Sequence, residues 1–412
     1  MPEVSQASAL EDWASDANGW LAGRLPARPE EGFEWGAGDD GAPVFHNVSD
    51  EDLGRLVERS AAWQRQKYDA GYGALTLPEE HGGAGLPGEY ERTFAQLESR
   101  FQVPHTPELV GVTVGLIAPT IARLGTEEQR ARWLRPMLRA DLLACQLFSE
   151  PEAGSDLANV RLRAVREGGS WVLNGQKVWT SGAQFAQVGE LIARTDPTAP
   201  KHRGMTAFIV PMDAPGVDIR PLRQMSGGTS FNEVFFNDVR IPDADRIGDV
   251  GDGWRVALTT LGFERGHSGR RKVGGSWEYL WELARHTGAL EDPLKRQSVA
   301  RAYTAHRLLE LLGDRVATAQ AAGEAPGPEG SLRKVFWVDQ LRAFSETSQD
   351  LLGERLAFDH GEWGTYAWSE HVLGAPGFRI AGGSDEIQRN IIGERVLGLP
   401  AEPRNDKGPM TE

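Results

Sequence analysis

Hydrophobic positions change their period twice along this chain of 412 residues. Between residues 50 and 138, apolar side chains recur every three or four positions, the spacing of one helix face. Leu53, Leu56, Val57 and Ala61 predict a helix over residues 50–68, with Ser49 or Asp50 as its N-cap. Gly71-Tyr-Gly73 ends it, and residues 77–85 read as a turn-rich loop. Further helices are expected over residues 90–101, 109–124 and 127–138. Residues 1–47 mix Gly, Pro and acidic positions and are expected to be loose.

From about residue 144 the period falls to two. Trp171-Val-Leu, Val178-Trp-Thr, Glu190-Leu-Ile-Ala, Thr206-Ala-Phe-Ile-Val and Glu233-Val-Phe-Phe predict strands. Asn174-Gly175, Gly204, Asp213-Ala-Pro-Gly216 and Gly227-Gly228 punctuate them as turns. Five or more short strands with such punctuation predict a sandwich or barrel. No helix-length segment separates them, which counts against a Rossmann domain. After residue 251 the helical period returns, as one pattern over 253–285 and another over 293–322. Leu308, Leu309, Leu311, Leu312 and Val316 supply an apolar stripe to the second. Ala325-Pro-Gly-Pro328 breaks the chain before a helix over 332–358, so residues 301–358 read as an antiparallel pair. The fold class is α+β, in regions 1–143, 144–250 and 251–412.

Composition narrows the function. Forty per cent hydrophobic and 25% charged residues describe a folded protein with room for two or three cores. A net charge of −15 argues against nucleic acid as a partner. No run reaches the roughly 18–20 apolar residues that span a bilayer, and the acidic start is no secretory signal, so no membrane is expected. The sole cysteine, Cys145, lies in an apolar run, reads as a buried small hydrophobe, and suits a reducing cytoplasm. No His/Cys cluster has metal-ligand spacing, so no metal is expected.

Chemistry concentrates in two segments. Gln146-Leu-Phe-Ser-Glu-Pro-Glu-Ala-Gly-Ser-Asp156 is followed by Asn174-Gly-Gln-Lys-Val-Trp-Thr-Ser-Gly182. Ser149, Ser155 and Ser181 place hydroxyls at strand ends, where they can bond a planar heterocycle, and Trp179 offers a flat apolar face. The plainer alternative is a hairpin around Asn174-Gly175 with Trp179 in its core. Near the end stands Ile380-Ala-Gly-Gly-Ser-Asp-Glu-Ile-Gln-Arg-Asn-Ile-Ile392. Its glycines allow close backbone approach, and Ser384 or Asp385 caps a helix. In this order the segments resemble the acyl-CoA dehydrogenase family, over roughly residues 45–400.

The resemblance implies an N-terminal α-helical domain, a middle β-barrel and a C-terminal four-helix bundle. It implies FAD held by Gln146, Phe148, Ser149, Ser155, Trp179, Thr180, Ser181, Ser384 and Glu386. Arg285 aligns with an arginine that reaches the FAD pyrophosphate of a neighbouring subunit, and Arg296-Gln297 with a second cofactor-contacting pair. Arg285 could equally be a surface charge. Many family members place a catalytic glutamate where this chain has Gly382, which has no side chain to act as a base. A subgroup that includes isovaleryl- and long-chain-type enzymes carries it instead on an early helix of the third region, before an arginine. Leu261-Gly-Phe-Glu-Arg-Gly266 matches, making Glu264 the candidate base and Arg265 a support for helix and ligand. Glu386 is the rival carboxylate. The usual Gln-x-x-Gly-Gly segment is altered to Gln349-Asp-Leu-Leu-Gly353.

By this resemblance the substrate is an acyl-CoA contacting Ser155, Arg265, Gly382 and Gly383. The product is a trans-2-enoyl-CoA, and electrons go to an electron-transfer flavoprotein. A homodimer or homotetramer is expected, because family cofactor sites draw on two subunits. Rival readings are an acyl-CoA oxidase, a flavin monooxygenase, or a partner subunit of a mixed oligomer.

Overall fold

The computed structural model describes residues 2–28, 34–37, 40–45, 47–105, 107–267, 274–321, 327–328, 330–401 and 403, without the side chains of 2–7, 264–267, 317, 320 and 321. Helices α1 (Pro2–Ala22), α2 (Asp50–Asp69), α3 (Gly88–Glu98), α4 (Glu108–Val112), α5 (Ala118–Leu124) and α6 (Glu127–Leu138) precede the sheet. Ser49 caps α2 by accepting from the Asp52 N–H, and Thr126 and Gln129 form a capping box on α6. A π-turn over Thr113–Ile117 joins α4 to α5. Pro119 has no N–H for the Gly115 carbonyl, and the wider turn accommodates that missing bond.

Helix α1 corrects the expectation that residues 1–47 are loose. Ala17 and Leu21 are fully buried, and Trp13 and Trp20 meet Tyr72 with ring centroids 5.6 and 5.0 Å apart. The seam is Trp13, Ala17, Trp20 and Leu21, which follows the helical period, but alanine and interleaved acidic residues dilute it.

Strands β1 (Ala144–Leu147), β2 (Arg163–Glu167), β3 (Ser170–Ser181), β4 (Val188–Arg194), β5 (Met205–Pro211), β6 (Val217–Leu222), β7 (Phe231–Pro242) and β8 (Arg246–Ile247) form one sheet. Its order is β6-β7-β3-β2-β4-β5-β8, with β1 parallel to β4. Alternation along β4 and β5 sends Leu191, Ala193, Phe208 and Val210 into a core shared with Leu173, Val234 and Phe236. Side chains from six strands converge there, so the sheet curls around it. The opposite face, with Val188, Ile192, Ala207 and Ile209, packs on Ile117, Ile121 and Met137. Strand β4 is therefore buried on both faces.

Asn174-Gly175 is not a turn, contrary to expectation. It lies inside β3, where pairing with β7 shifts register. Gly175 has φ 143°, and a Cβ there would lie 2.9 Å from Leu162 Cα, so only glycine lets β3 pass.

Beyond the sheet run α7 (Gly253–His267), α8 (Trp277–His286), α9 (Pro293–Ala321), α10 (Gly330–Leu352), α11 (Tyr366–Gly374) and α12 (Asp385–Ile391). The single pattern expected over 253–285 is thus two helices, α7 and α8, and residues 268–273 lie outside the described residues. Helices α8 to α11 meet around Tyr279, Leu283, Ala302, Phe344 and Trp368, the four-helix bundle. Buried His371 bridges Ser345 Oγ and the Gly274 carbonyl at 3.0 and 2.9 Å; burial pushes its imidazole down to about 4, so it stays neutral. Leu308 and Leu311 of the expected stripe on α9 are exposed in the single chain.

Candidate functional site

A buried ion pair fastens the two motif segments together. Glu150 accepts from the N–H groups of Arg161 and Leu162, at 2.6 and 3.0 Å, and from Lys177 Nζ at 2.7 Å. Lys177 is fully buried and donates also to the Phe148 carbonyl at 2.9 Å. Burial pushes its ammonium down to about 8, against the opposing pull of Glu150. The Val178 N–H donates to the Ser149 carbonyl at 2.9 Å, so the end of β1 is hydrogen-bonded to β3 just before Trp179. Neither Glu150 nor Lys177 was singled out from the sequence. Their opposite charges, one in each motif segment, were the available signal.

Beyond this clip the register of β3 shifts again, between Lys177 and Thr180. Trp179 takes φ 60°, a left-handed conformation that costs a non-glycine residue about 1–2 kcal/mol. The bulge turns its indole outward, 61% exposed, where only Phe231 touches an edge at 6.0 Å among the ring contacts of the described residues. Trp179 is therefore not the core of a hairpin. Thr180 is buried, and its Oγ1 has no hydrogen-bond partner. Ser181 Oγ donates to Glu108 Oε2 at 2.8 Å. Phe148 is buried, Ser149 half-buried and Ser155 exposed. The loop that carries Ser155 is held from below. Arg194 donates to the carbonyls of Ala158, Val160 and Lys201, and Lys201 Nζ reaches Asp156 at 3.0 Å.

An aromatic chain leads from Trp179 to the carboxyl-terminal signature. Phe231 meets Phe45 at 5.6 Å, and Phe45 stacks on Phe378 at 4.9 Å, just before Ile380. Gly382 and Gly383 follow with φ 64° and 87°, and the Gly382 carbonyl accepts from Gln388 Nε2 at 2.8 Å. Ser384 is the cap of α12, accepting from the Ile387 N–H. Glu386 is exposed, and hydrogen bonds from its own backbone N–H and from Ser384 hold its carboxyl below the usual range. Asp385 pairs with Arg379 at 2.9 Å and Lys334 at 3.3 Å, which anchors α12 to α10.

The other expected site residues are placed as follows. Gln146 lies on β1, with its Nε2 buried and unpartnered. Glu264 and Arg265 lie on α7, but their side chains are outside the described residues. Thr260, one turn earlier, bonds Thr120 Oγ1 of α5 at 3.0 Å and Glu190 of β4 at 2.8 Å, so α7 is fixed between the helices and the sheet. Arg285 pairs with Glu282 at 2.9 Å, and Arg296 donates to the Leu290 carbonyl at 2.6 Å. Both bond only within the bundle among the described residues, and Gln297 is exposed beside Arg296. Gln349 Nε2 donates to the Ser345 carbonyl of its own helix at 3.1 Å.

A planar ring system fits this ground. It finds an outward indole, two glycines with open backbone conformations, and a buried hydroxyl without a partner. Among the described residues, no cluster of His, Cys, Asp or Glu could hold a metal ion, and no helix is long and apolar enough to cross a membrane.

Three family models match: the acyl-CoA dehydrogenase N-terminal domain over residues 46–141, the middle domain over 145–239, and the C-terminal domain over 251–397. Acyl-CoA dehydrogenase IpdE1 of Mycobacterium tuberculosis (strain ATCC 25618 / H37Rv) is 39% identical over 401 residues, 96% of this chain and 99% of that protein. Among solved structures, the Tcur3481-Tcur3483 steroid ACAD superposes with TM-score 0.74 and 26% identity, covering 96% of this chain and 98% of that one. The ChsE4-ChsE5 complex from Mycobacterium tuberculosis gives 0.68, with the same identity and coverage.

Proposed function

Because the chain belongs to the acyl-CoA dehydrogenase family of oxidoreductases, we propose that it is a FAD enzyme. In this reading it converts an acyl-CoA to the trans-2-enoyl-CoA and passes the electrons to an electron-transfer flavoprotein. The observation that carries the flavin is Trp179. Its exposed indole is held in a strained conformation beside the fastened Phe148-Ser149 strand end and the unpartnered Thr180 hydroxyl.

Bound FAD would supply the acceptor for the hydride that leaves Cβ. The chain's own residues do the rest. Phe148, Ser149, Ser155, Trp179, Thr180 and Ser181 would hold the ring and its hydroxyls, with Glu386 near the start of α12. Ser384 keeps that turn in shape through its cap. Gly382 and Gly383 leave the backbone open, and the Gly382 N–H would donate to the thioester carbonyl and stabilise the charge that develops on its oxygen. Glu264 would take the Cα proton, and Arg265 would support its helix. Enclosure by the acyl group would raise the carboxylate's proton affinity towards the range of a general base.

Arg285, Arg296 and Gln297 bond within the bundle, or stand free on its surface, on this reading because they serve the cofactor of a second subunit. That subunit would be another copy, in a homodimer or homotetramer. A mixed oligomer is the second reading, favoured by the two-chain Tcur3481-Tcur3483 and ChsE4-ChsE5 relatives. The steroid ACAD supports a ring-bearing acyl group as the substrate class. We place the enzyme in the cytoplasm.

The test is anaerobic addition of acyl-CoAs to the purified flavoprotein. Bleaching without NAD(P)H is expected, with slow recovery of colour in air and fast recovery with an electron-transfer flavoprotein. Rapid recovery with hydrogen peroxide would indicate an oxidase. Reduction by NAD(P)H alone would refute the reading in favour of a monooxygenase.

A further inference from the structure

Glu190 is fully buried on β4, and the chemistry above makes no use of it. Its Oε1 accepts from Thr260 Oγ1 at 2.8 Å, while Oε2 is buried without a partner. Across the parallel pairing, Gln146 of β1 stands directly opposite. In that register the two side chains emerge from the same face of the sheet. Gln146 Nε2 is likewise buried and unpartnered. Two orphaned polar atoms on facing residues of adjacent strands, in a layer otherwise built from Val188, Ile192, Ile117, Ile121 and Val256, require a reason.

The chemistry of the pair is specific. Burial pushes the Glu190 carboxyl up to about 8, so at neutral pH it carries a proton. Its Oε1 is occupied by the Thr260 hydroxyl, which leaves Oε2 to offer O–H. Gln146 offers N–H from the facing residue, so the two orphaned groups are both donors. The position is specific too. Thr260 lies on α7 four residues before Glu264, one helical turn along the backbone. The pair is therefore anchored one helical turn from the proposed base, on the side of α7 packed against the sheet.

We infer that Glu190 and Gln146 form a hydrogen-bonding subsite for an oxygen, a ring carbonyl or hydroxyl, carried by the acyl group away from its thioester. A plain alkyl group would leave both donors unpaired, whereas an acceptor oxygen satisfies them together. A site built to bond an oxygen rejects the analogue that lacks it far more strongly than an apolar pocket rejects an added one. This assigns Gln146 to substrate rather than FAD, and it rests on the dehydrogenase reading only in taking α7 as a wall of the acyl site.

Two probes test it: 3-(4-oxocyclohexyl)propanoyl-CoA and its deoxygenated partner, 3-cyclohexylpropanoyl-CoA. Dissociation constants are measured on the flavoprotein carrying Glu264→Gln, so that neither probe is consumed. The ketone is expected to bind at least about tenfold more tightly. Adding Glu190→Leu or Gln146→Leu should bring the ratio close to one, while Glu190→Gln, which keeps a donor of the same size, should retain a preference. A purely structural role for Glu190 would lower thermal stability in these variants but leave the ratio unmoved. Equal affinities before substitution, binding of neither probe, or a preference that survives both leucine variants would overturn the subsite. Bleaching of the unsubstituted enzyme is read separately. Bleaching without ketone preference removes the subsite and leaves the dehydrogenase, and preference without bleaching does the reverse.

Discussion

Replacing Glu190 with glutamine should change how stability depends on pH, and the size of the change follows from the burial of the carboxyl. In the folded chain this group holds its proton up to about pH 8, against 4.5 for an ordinary glutamate. Between those values the folded state binds a proton that the unfolded state has released. Stability from this group is therefore complete below pH 4.5 and is lost as pH rises to 8. Each pH unit in the window is worth about 1.4 kcal/mol, so the three units from pH 5 to 8 amount to about 4 kcal/mol. Other groups titrate in this window as well, including His371, whose imidazole burial holds at about 4 against 6.5 for an ordinary histidine. The comparison is therefore between the natural chain and Glu190→Gln, which is neutral throughout. Urea unfolding followed by tryptophan fluorescence at each pH supplies both curves. The natural chain should lose about 4 kcal/mol relative to the variant between pH 5 and 8. A constant gap across that range would mean that Glu190 ionises normally, and the argument from burial would fail.

Lys177→Met leaves Glu150 its two backbone donors but removes its cation, and should cost about 3 kcal/mol with loss of bound FAD, read by thermal unfolding and flavin content. Trp179→Gly relieves the left-handed backbone and should raise stability by about 1 kcal/mol while weakening FAD retention; stability and retention falling together would place the indole in a structural role. Ser384→Ala should cost about 1 kcal/mol of stability through the lost cap and lower flavin content, because that cap shapes the turn proposed to lie against the cofactor. Glu264→Gln should keep FAD but slow flavin reduction by acyl-CoA at least about a hundredfold in stopped flow, and a larger loss in Glu386→Gln would move the base to that residue.

Long periodic segments were legible in the sequence because one face decides them. Helix α2, with Leu53, Val57 and Ala61 buried, and α6 behind its capping box, lie where the pattern puts them. Helix α1 was not, because its buried seam includes an alanine that composition does not distinguish from loop. The strand pair expected at Asn174-Gly175 failed for a different reason. The dipeptide has the local chemistry of a turn, but the approach of Leu162 uses the glycine to let one long strand pass. The site was legible as motif and illegible as geometry. Nothing local to Trp179 announces a left-handed residue, since that follows from register against β7. Glu190 reads as an ordinary strand glutamate until β1, β4 and α7 are packed around it.

Because β1 lies parallel to β4, with Ala144 opposite Val188, the strand pair cannot close as a hairpin. Both β2 and β3 lie between them in the chain, so the pairing closes a long loop. Closing so long a loop is paid in entropy before any contact returns it, which makes this pairing a late event in folding. The segment that begins the flavin motif is thus among the last pieces of the sheet to acquire its shape. A newly made chain would have nothing for the cofactor to recognise until the middle of the molecule is complete. Saturating flavin would then leave the refolding rate unchanged and slow only the reverse process, by holding the finished sheet closed.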